Sequence, residues 1–269
     1  MNHQTILVLD FGSQYTQLIA RRLRELSIYS KIVPYSITPE EIAKVDPVGI
    51  ILSGGPSSLS TPESPRCDRR IFDCGVPVLG ICYGMQIMTA ALGGRVDSAP
   101  EREYGHATIS IRQASALFDG MSTDIRVWAS HGDLVSEAPP GFEVLATSAN
   151  APVVGIADKR RHLYGLLFHP EVVHTIEGNT ILSNFLFRIS DCKANWTAEH
   201  FISETISSIQ NKVRDDEHVI TGLSGGVDSS VVGTLLHKAI GKRSRCVFID
   251  HGLLRKEEAE QVMGSLKDG

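Results

Sequence analysis

Apolar runs and helically spaced stretches take turns along this chain. Thr5 to Asp10, mostly apolar and closing on a carboxylate, reads as a first strand. From Ser13 to Leu26, residues Leu18, Ile19, Leu23 and Leu26 fall on one stripe, which predicts a helix. Ile32-Val33 and Gly49 to Leu52 read as short strands, with Pro39-Glu40-Glu41 opening a helix between them. A strand over Val76 to Ile81 then leads into a helix that Gly93-Gly94 ends. Strands alternating with helices in this way predict an α/β domain on a parallel sheet. Thr108 to Ile111, Ile125 to Trp128, Glu143 to Ala146 and Val153 to Ala157 follow as an antiparallel excursion. The run Leu163 to Phe168 and a closing helix over Asn179 to Ile189 complete this part.

Ser190 to Thr197 reads as a linker, which divides the chain into domains 1–196 and 197–269. Beyond it the pattern predicts a lead-in helix (Ala198 to Val213), a buried strand (Val219 to Leu223) and a helix from Ser230 to about Ala239. A strand over Arg245 to Asp250 and an amphipathic helix over about Lys256 to Leu266 come next. No internal repeat or low-complexity segment interrupts the series.

Composition narrows the function classes. With 269 residues, 42% of them hydrophobic, the chain can bury a core in one to two domains. Its apolar runs are too short to span a bilayer, and a net charge of −5 gives no case for nucleic acid or an anionic membrane. The five cysteines (Cys67, Cys74, Cys82, Cys192, Cys246) are odd in number and form no CxxC pair, so neither zinc nor a disulfide framework is indicated. With no signal peptide read at the start, this usage points to the reducing cytoplasm, where the sequon Asn195-Trp196-Thr197 is incidental.

The candidate chemistry centres on Cys82. It lies in Gly80-Ile81-Cys82-Tyr83-Gly84-Met85-Gln86, directly after an apolar strand and before a helix. That is the cysteine form of a nucleophile elbow, with glycines where the turn leaves no room for a Cβ. The helix that follows aims its positive end at the sulfur. A buried structural cysteine is the alternative reading. Two further motifs favour the elbow. In His169-Pro170-Glu171, residues two apart in an extended chain face the same side, and Pro170 biases His169 towards that conformation. A carboxylate-oriented histidine brought beside a cysteine is the logic of a thiol triad. The loop Ser53-Gly54-Gly55-Pro56 offers bare backbone N–H groups to a developing oxyanion, together with the N–H of Tyr83.

In this order the three motifs resemble the signature of the triad (class I) glutamine amidotransferases. The resemblance implies a flavodoxin-like, mostly parallel sheet, with Cys82 attacking the glutamine side-chain amide. It makes His169 the general base and acid, and Glu171 the group orienting it. Gly54, Gly55 and the Tyr83 N–H become oxyanion and glutamine-binding groups, and Gln86, one helical turn beyond Cys82, helps hold the glutamine.

Downstream, Ser224-Gly225-Gly226-Val227-Asp228-Ser229-Ser230 joins a strand to a helix and suits a phosphate cradle. It lacks the Gly-Lys-Ser/Thr ending of a Walker A loop, which disfavours a P-loop kinase or GTPase. A carboxylate inside the loop suits a bridging magnesium ion, so Asp228 is the candidate metal ligand. This loop resembles that of the ATP pyrophosphatases, which implies ATP held by residues 224–230, with Asp250 on the same side of an incomplete doubly wound α/β domain. A triad amidotransferase followed by this loop resembles the glutamine-hydrolysing GMP synthetase family. That implies glutamine, ATP and xanthosine monophosphate as substrates, ATP and Mg2+ at the second site, and a homodimer for full-length members. The family continues further, so the chain reads as truncated: competent for glutamine but not for synthesis, with residues 197–269 unable to fold alone. An amidotransferase serving another acceptor, or a non-catalytic glutamine-binding regulator, are the competing readings. The loop argues against the first and the intact triad against the second.

Other residues draw plainer readings. Asp10-Phe11-Gly12 is a strand-end turn, since the other kinase signatures are absent. Ser130-His131-Gly132-Asp133 shapes the glutamine pocket or faces the synthetase domain. Lys159 to His162 is a solvated hairpin loop, and His174 a surface or supporting histidine.

Overall fold

Thr5–Asp10 forms strand β1, and its alternation sends Ile6 and Val8 to one core and Leu7 and Leu9 to the other, all fully buried. Both faces of the sheet are therefore covered, as its continuous apolar run demands. The computed structural model describes residues 3–248, 260 and 264. The chain divides into two units, Met1–Trp196 and Thr197–Gly269.

In the first unit helix α1 spans Thr16–Glu25, strand β2 Tyr29–Pro34, helix α2 Pro39–Val45, strand β3 Gly49–Leu52, strand β4 Val78–Ile81 and helix α3 Tyr83–Ala91. Strands β5 (Arg95–Ile111), β6 (Asp124–Glu137), β7 (Glu143–Ser148), β8 (Gly155–Asp158) and β9 (Leu163–Leu166) follow, and helix α4 is Gly178–Ser183. They build one nine-stranded sheet in the order β2-β1-β3-β4-β9-β8-β7-β5-β6. The first five of that order run parallel, and β8, β7, β5 and β6 continue the sheet antiparallel. Chain crossovers leave β1, β3, β4 and β9 side by side, so the loops after their carboxyl ends converge on one edge.

Several boundaries differ from the sequence pattern, each for a local reason. Helix α1 starts at Thr16 rather than Ser13, because Asp10 Oδ1 accepts from Gly12 N–H (2.9 Å) and Thr16 Oγ1 (2.7 Å) and holds a turn in place of the first helical residues. Gly12 sits at φ +86°, where a side chain would be strained. Strand β4 begins after Pro77, which has no N–H to give a ladder, so Val78 N–H makes the first donated bond, to His162 O (3.0 Å). The excursion strands β5 and β6 run to 17 and 14 residues, far beyond the apolar cores that signalled them. Beyond its predicted core β6 runs on through buried and half-buried positions as far as Val135, and cross-strand pairing with β5 holds it. The closing helix widens after α4, where Ser190 N–H donates to Phe185 O (2.9 Å), five residues back.

In the second unit Thr197 caps helix α5 (Ala198–Lys212) by accepting from His200 N–H at 3.3 Å. Strand β10 (Val219–Leu223), helix α6 (Val227–Ile240) and strand β11 (Ser244–Phe248) form a β-α-β unit with β10 and β11 parallel. Strand β10 is not buried as its composition predicts: Leu223 is, but Ile220 is 72% exposed. Helix α6 starts three residues earlier than expected, because Gly226 rather than a serine occupies the capping position. Asp250 and the helix expected over residues 256–266 lie outside the described residues, apart from Glu260 and Gly264. Among the described residues no helix is long and apolar enough to cross a membrane.

Candidate active site

Strand β4 drives the chain into the sheet edge and α3 turns it away, with Cys82 at the corner at φ +50°, ψ −106°. The corner closes because Gly80 and Gly84 touch: a Cβ on Gly80 would lie 2.7 Å from the Gly84 backbone, and one on Gly84 2.5 Å from Leu52 O. Cys82 N–H donates to Leu166 O (2.7 Å) on β9, and Cys82 O accepts from Gln86 N–H (3.1 Å). The elbow is thus pinned to both neighbours, and the buried Sγ donates to Ser130 O at 3.6 Å.

His169 and Glu171 do not extend the strand. β9 stops at Leu166, and Pro170-Glu171 lie in the turn beyond it. That turn still joins them, with His169 Nδ1 donating to Glu171 Oε1 at 2.7 Å and both side chains buried. His169 is held at its backbone too: its N–H donates to Trp128 O (3.0 Å), and its carbonyl accepts from Thr175 Oγ1 (2.6 Å). Arg22 on α1 donates to Glu171 O at 3.1 Å, and the Tyr15 ring stands edge-on to the imidazole at 5.0 Å. Burial is the largest single influence on His169 and works to lower its pKa. The Glu171 charge and hydrogen bonds to Cys82 and Glu171 together outweigh it, leaving the imidazole well above its ordinary value. Since Nδ1 is taken by Glu171, Nε2 is the atom left for the thiol.

The Gly54 backbone borders this pair so closely that a Cβ would meet His169 Cε1 at 2.9 Å and lie 3.7 Å from Cys82 Cβ. Gly55 is equally confined, against Phe11 O at 2.8 Å. Tyr83 opens α3, so its N–H has no partner within the helix, while its hydroxyl donates to Pro65 O at 2.9 Å. From Cys82 opens a cavity of about 570 Å³ lined by Gly55, Tyr83, Gln86 and the strand segment Ser130 to Asp133. Gln86 Nε2 donates to Asp133 O (3.1 Å), which ties the helix to that strand.

The excursion therefore supplies one wall of the site. Asp133, 9% exposed, accepts from the Ser58 and Ser98 hydroxyls, and all three line the cavity. His131 pairs with Glu103 (Nε2–Oε2 3.3 Å), and burial is the main reason its pKa lies below the ordinary value. Ser58, Arg102 and Thr175 also meet this site, and sequence reasoning missed all three. No local motif marks them, since each arrives through cross-strand register or a loop. His174 supports the wall by packing its ring against Trp128, centroids 4.4 Å apart and planes tilted by 32°.

A buried thiol at a strained elbow, an imidazole bound to a carboxylate, and N–H groups beside them suit attack on a carbonyl carbon. Residues 7–189 match the family model described as "Glutamine amidotransferase class-I". The chain belongs to the class-I glutamine amidotransferases. Like this amidotransferase, a putative GMP synthase subunit from Thermoplasma acidophilum has the same fold, at TM-score 0.62 and 32% identity over 71% of this chain and 96% of that one. Residues 201–263 match the model described as "NAD synthase". GMP synthase (glutamine-hydrolyzing) of Listeria monocytogenes serotype 4b is 55% identical over 264 residues, 98% of this amidotransferase chain and 51% of the relative. The Bacillus pumilus protein of that name is 54% identical over 267 residues, 99% and 52% respectively. The chain spans about half the length of these curated relatives.

In the second unit Ser224, Gly225 and Gly226 form the loop, but Val227, Asp228, Ser229 and Ser230 lie in the first turn of α6. Gly225 adopts φ +79°, and Ser224 N–H donates to Ser229 Oγ at 3.2 Å. Asp228 is exposed there, and among the described residues no three metal-binding side chains cluster.

Proposed function

We propose that the chain hydrolyses glutamine with Cys82 as nucleophile, His169 as base and acid, and Glu171 as the group that orients His169. The observation that carries this reading is the buried 2.7 Å His169–Glu171 hydrogen bond beside a cysteine held at positive φ. His169 Nε2 takes the Cys82 proton, and the sulfur forms a bond to the carboxamide carbon. The Gly54 and Tyr83 N–H groups receive the oxyanion, with Gly55 giving the backbone room to approach. Collapse of the adduct breaks the C–N bond, and the His169 proton leaves with ammonia. Water, deprotonated by His169, then releases glutamate and restores the thiol. Gln86 and Asp133 hold the substrate head, Asp133 being the one carboxylate among the residues lining the cavity and so a match for an α-ammonium.

The ammonia serves, in this reading, a GMP synthase-type ligase in which ATP activates xanthosine monophosphate. The match to the "NAD synthase" model and the identity to GMP synthases support it over a different acceptor. The second unit fits a nucleotide: Ser224, Gly225, Gly226, the N–H groups of Val227 to Ser229 and the Ser230 side chain in the same turn would hold phosphate, and Asp228 would face a magnesium ion. That ion would neutralise phosphate charge. A soluble cytoplasmic enzyme fits these substrates.

Glutamate release from glutamine by the purified chain, measured beside Cys82→Ala with and without ATP and xanthosine monophosphate, tests the reading. Release that vanishes in the variant supports it. Release that persists in Cys82→Ala, or its absence from the folded chain under both conditions, removes it.

A further inference from the structure

The ladder between β5 and β6 breaks beside the active site. Ser98 pairs with Asp133 and Glu103 with His131, so residues 99–102 stand opposite Gly132 alone. Such a bulge takes side chains out of the regular alternation and re-aims them. Here it lays Arg102 across Gly132, where a Cβ would lie 3.7 Å from Arg102 Nε and 3.8 Å from its Cδ. The arginine stem therefore lies in van der Waals reach of this position.

Arg102 also borders the cavity that Cys82 opens into, and it is the one arginine or lysine among the lining residues. None of the ion pairs among the described residues involves it. The wall therefore presents a buried carboxylate at Asp133 and an exposed, uncommitted guanidinium one residue along, across Gly132. A free α-amino acid carries the complementary pair of charges on two groups bonded to one α-carbon, with its side chain free to extend towards the thiol. A guanidinium can meet a carboxylate through two parallel N–H bonds.

We propose that Arg102 binds the α-carboxylate of glutamine and makes the site select the free amino acid over glutamine whose carboxylate is masked. This rests on the glutamine-hydrolysing reading above and names a determinant of its specificity. The bulge is the device: a regular ladder at this point would alternate residue by residue and leave no arginine over Gly132.

The test compares hydrolysis of L-glutamine and L-glutamine α-amide by the full chain, as wild type, Arg102→Gln and Arg102→Lys. For glutamine, Arg102→Gln raises KM by about 10- to 100-fold with kcat little changed, the size of a lost charge-assisted bond. For the α-amide, wild type and Arg102→Gln have the same KM. Arg102→Lys falls between, keeping the charge but losing the fork. An Arg102→Gln effect equal on both substrates, or absent from both, overturns the assignment. Labelling of Cys82 gives a readout that needs no turnover. A diazoketone analogue of glutamine retains the α-carboxylate and iodoacetamide has none, so Arg102→Gln and Arg102→Lys slow the first label and spare the second. Equal slowing of both labels marks a distorted site and overturns the proposal. If wild-type Cys82 shows no preference for the analogue and no protection by glutamine, the glutamine reading itself falls, and Arg102 with it. If wild type shows both and the variants match it, only the Arg102 assignment is lost.

Discussion

The Thr175 hydroxyl donates to the His169 carbonyl at 2.6 Å while accepting from the Trp128 N–H at 3.0 Å, so one side chain fixes the loop that carries His169 onto the β6 wall. Thr175 is buried. Thr175→Val keeps the shape but strands a carbonyl and an N–H in the interior. Urea unfolding should show a loss of about 1–3 kcal/mol, and glutamine hydrolysis should fall with it. Unchanged stability together with unchanged hydrolysis would mean the loop is held by other means.

Glu171→Gln keeps the side-chain volume and removes the charge that raises His169. Burial then dominates, and the imidazole pKa drops. A raised histidine value contributes stability that is fully present below the unfolded value of about 6.5 and is lost as pH rises through the folded value. The stability gap between wild type and Glu171→Gln should therefore narrow as pH climbs from about 6.5 upwards. Chemical denaturation across that range reads it directly, and a gap that widens instead contradicts the assignment.

Two glycines should fail in different ways. At Gly54 a Cβ meets the far side of an imidazole, His169 Cε1 at 2.9 Å, which displaces His169. Gly54→Ala should fold with near-wild-type stability and lose about 100-fold in kcat. At Gly84 the obstacle is backbone, Leu52 O at 2.5 Å, so Gly84→Ala should lower the melting temperature and yield little soluble protein. Thermal melts and steady-state assays on the two variants separate these outcomes.

The second unit exposes apolar side chains, among them Ile220 at 72% and Val227 at 79%. Exposed apolar area on a small sheet invites association. Sedimentation velocity should show self-association rising with concentration, and Ile220→Thr with Val227→Ser should reduce it. A monomer at all concentrations would show that these residues are harmless as they stand.

What can be read in the sequence is what is local in space. Gly80, Cys82 and Gly84 lie within one turn, and His169 and Glu171 within three residues, so their chemistry is written in consecutive positions. The apolar runs of β1, β3 and β4 likewise announce a sheet covered on both faces. Arg102 reaches the site through the β5–β6 register, Ser58 through a loop bonded to Asp133 and Thr175 through its bond to Trp128, and no short window encodes those long-range pairings. The start of α6 escapes the pattern because serine is a better cap than glycine in isolation, yet Gly226, in extended backbone, stands before its first residue. The exposure of β10 escapes it because apolar composition tells how a strand is suited to pack and not whether neighbours cover it.

The backbone at Cys82 holds a non-glycine residue at φ +50°, ψ −106°, a conformation that costs about 1–3 kcal/mol and persists only because Gly80, Gly84 and the β9 hydrogen bond leave no alternative. Loss of activity at this position can therefore run downhill in stability, since a glycine there removes the thiol and relaxes the chain in one step. A lineage freed from the demand for a thiol at this corner would gain durability by giving up Cys82.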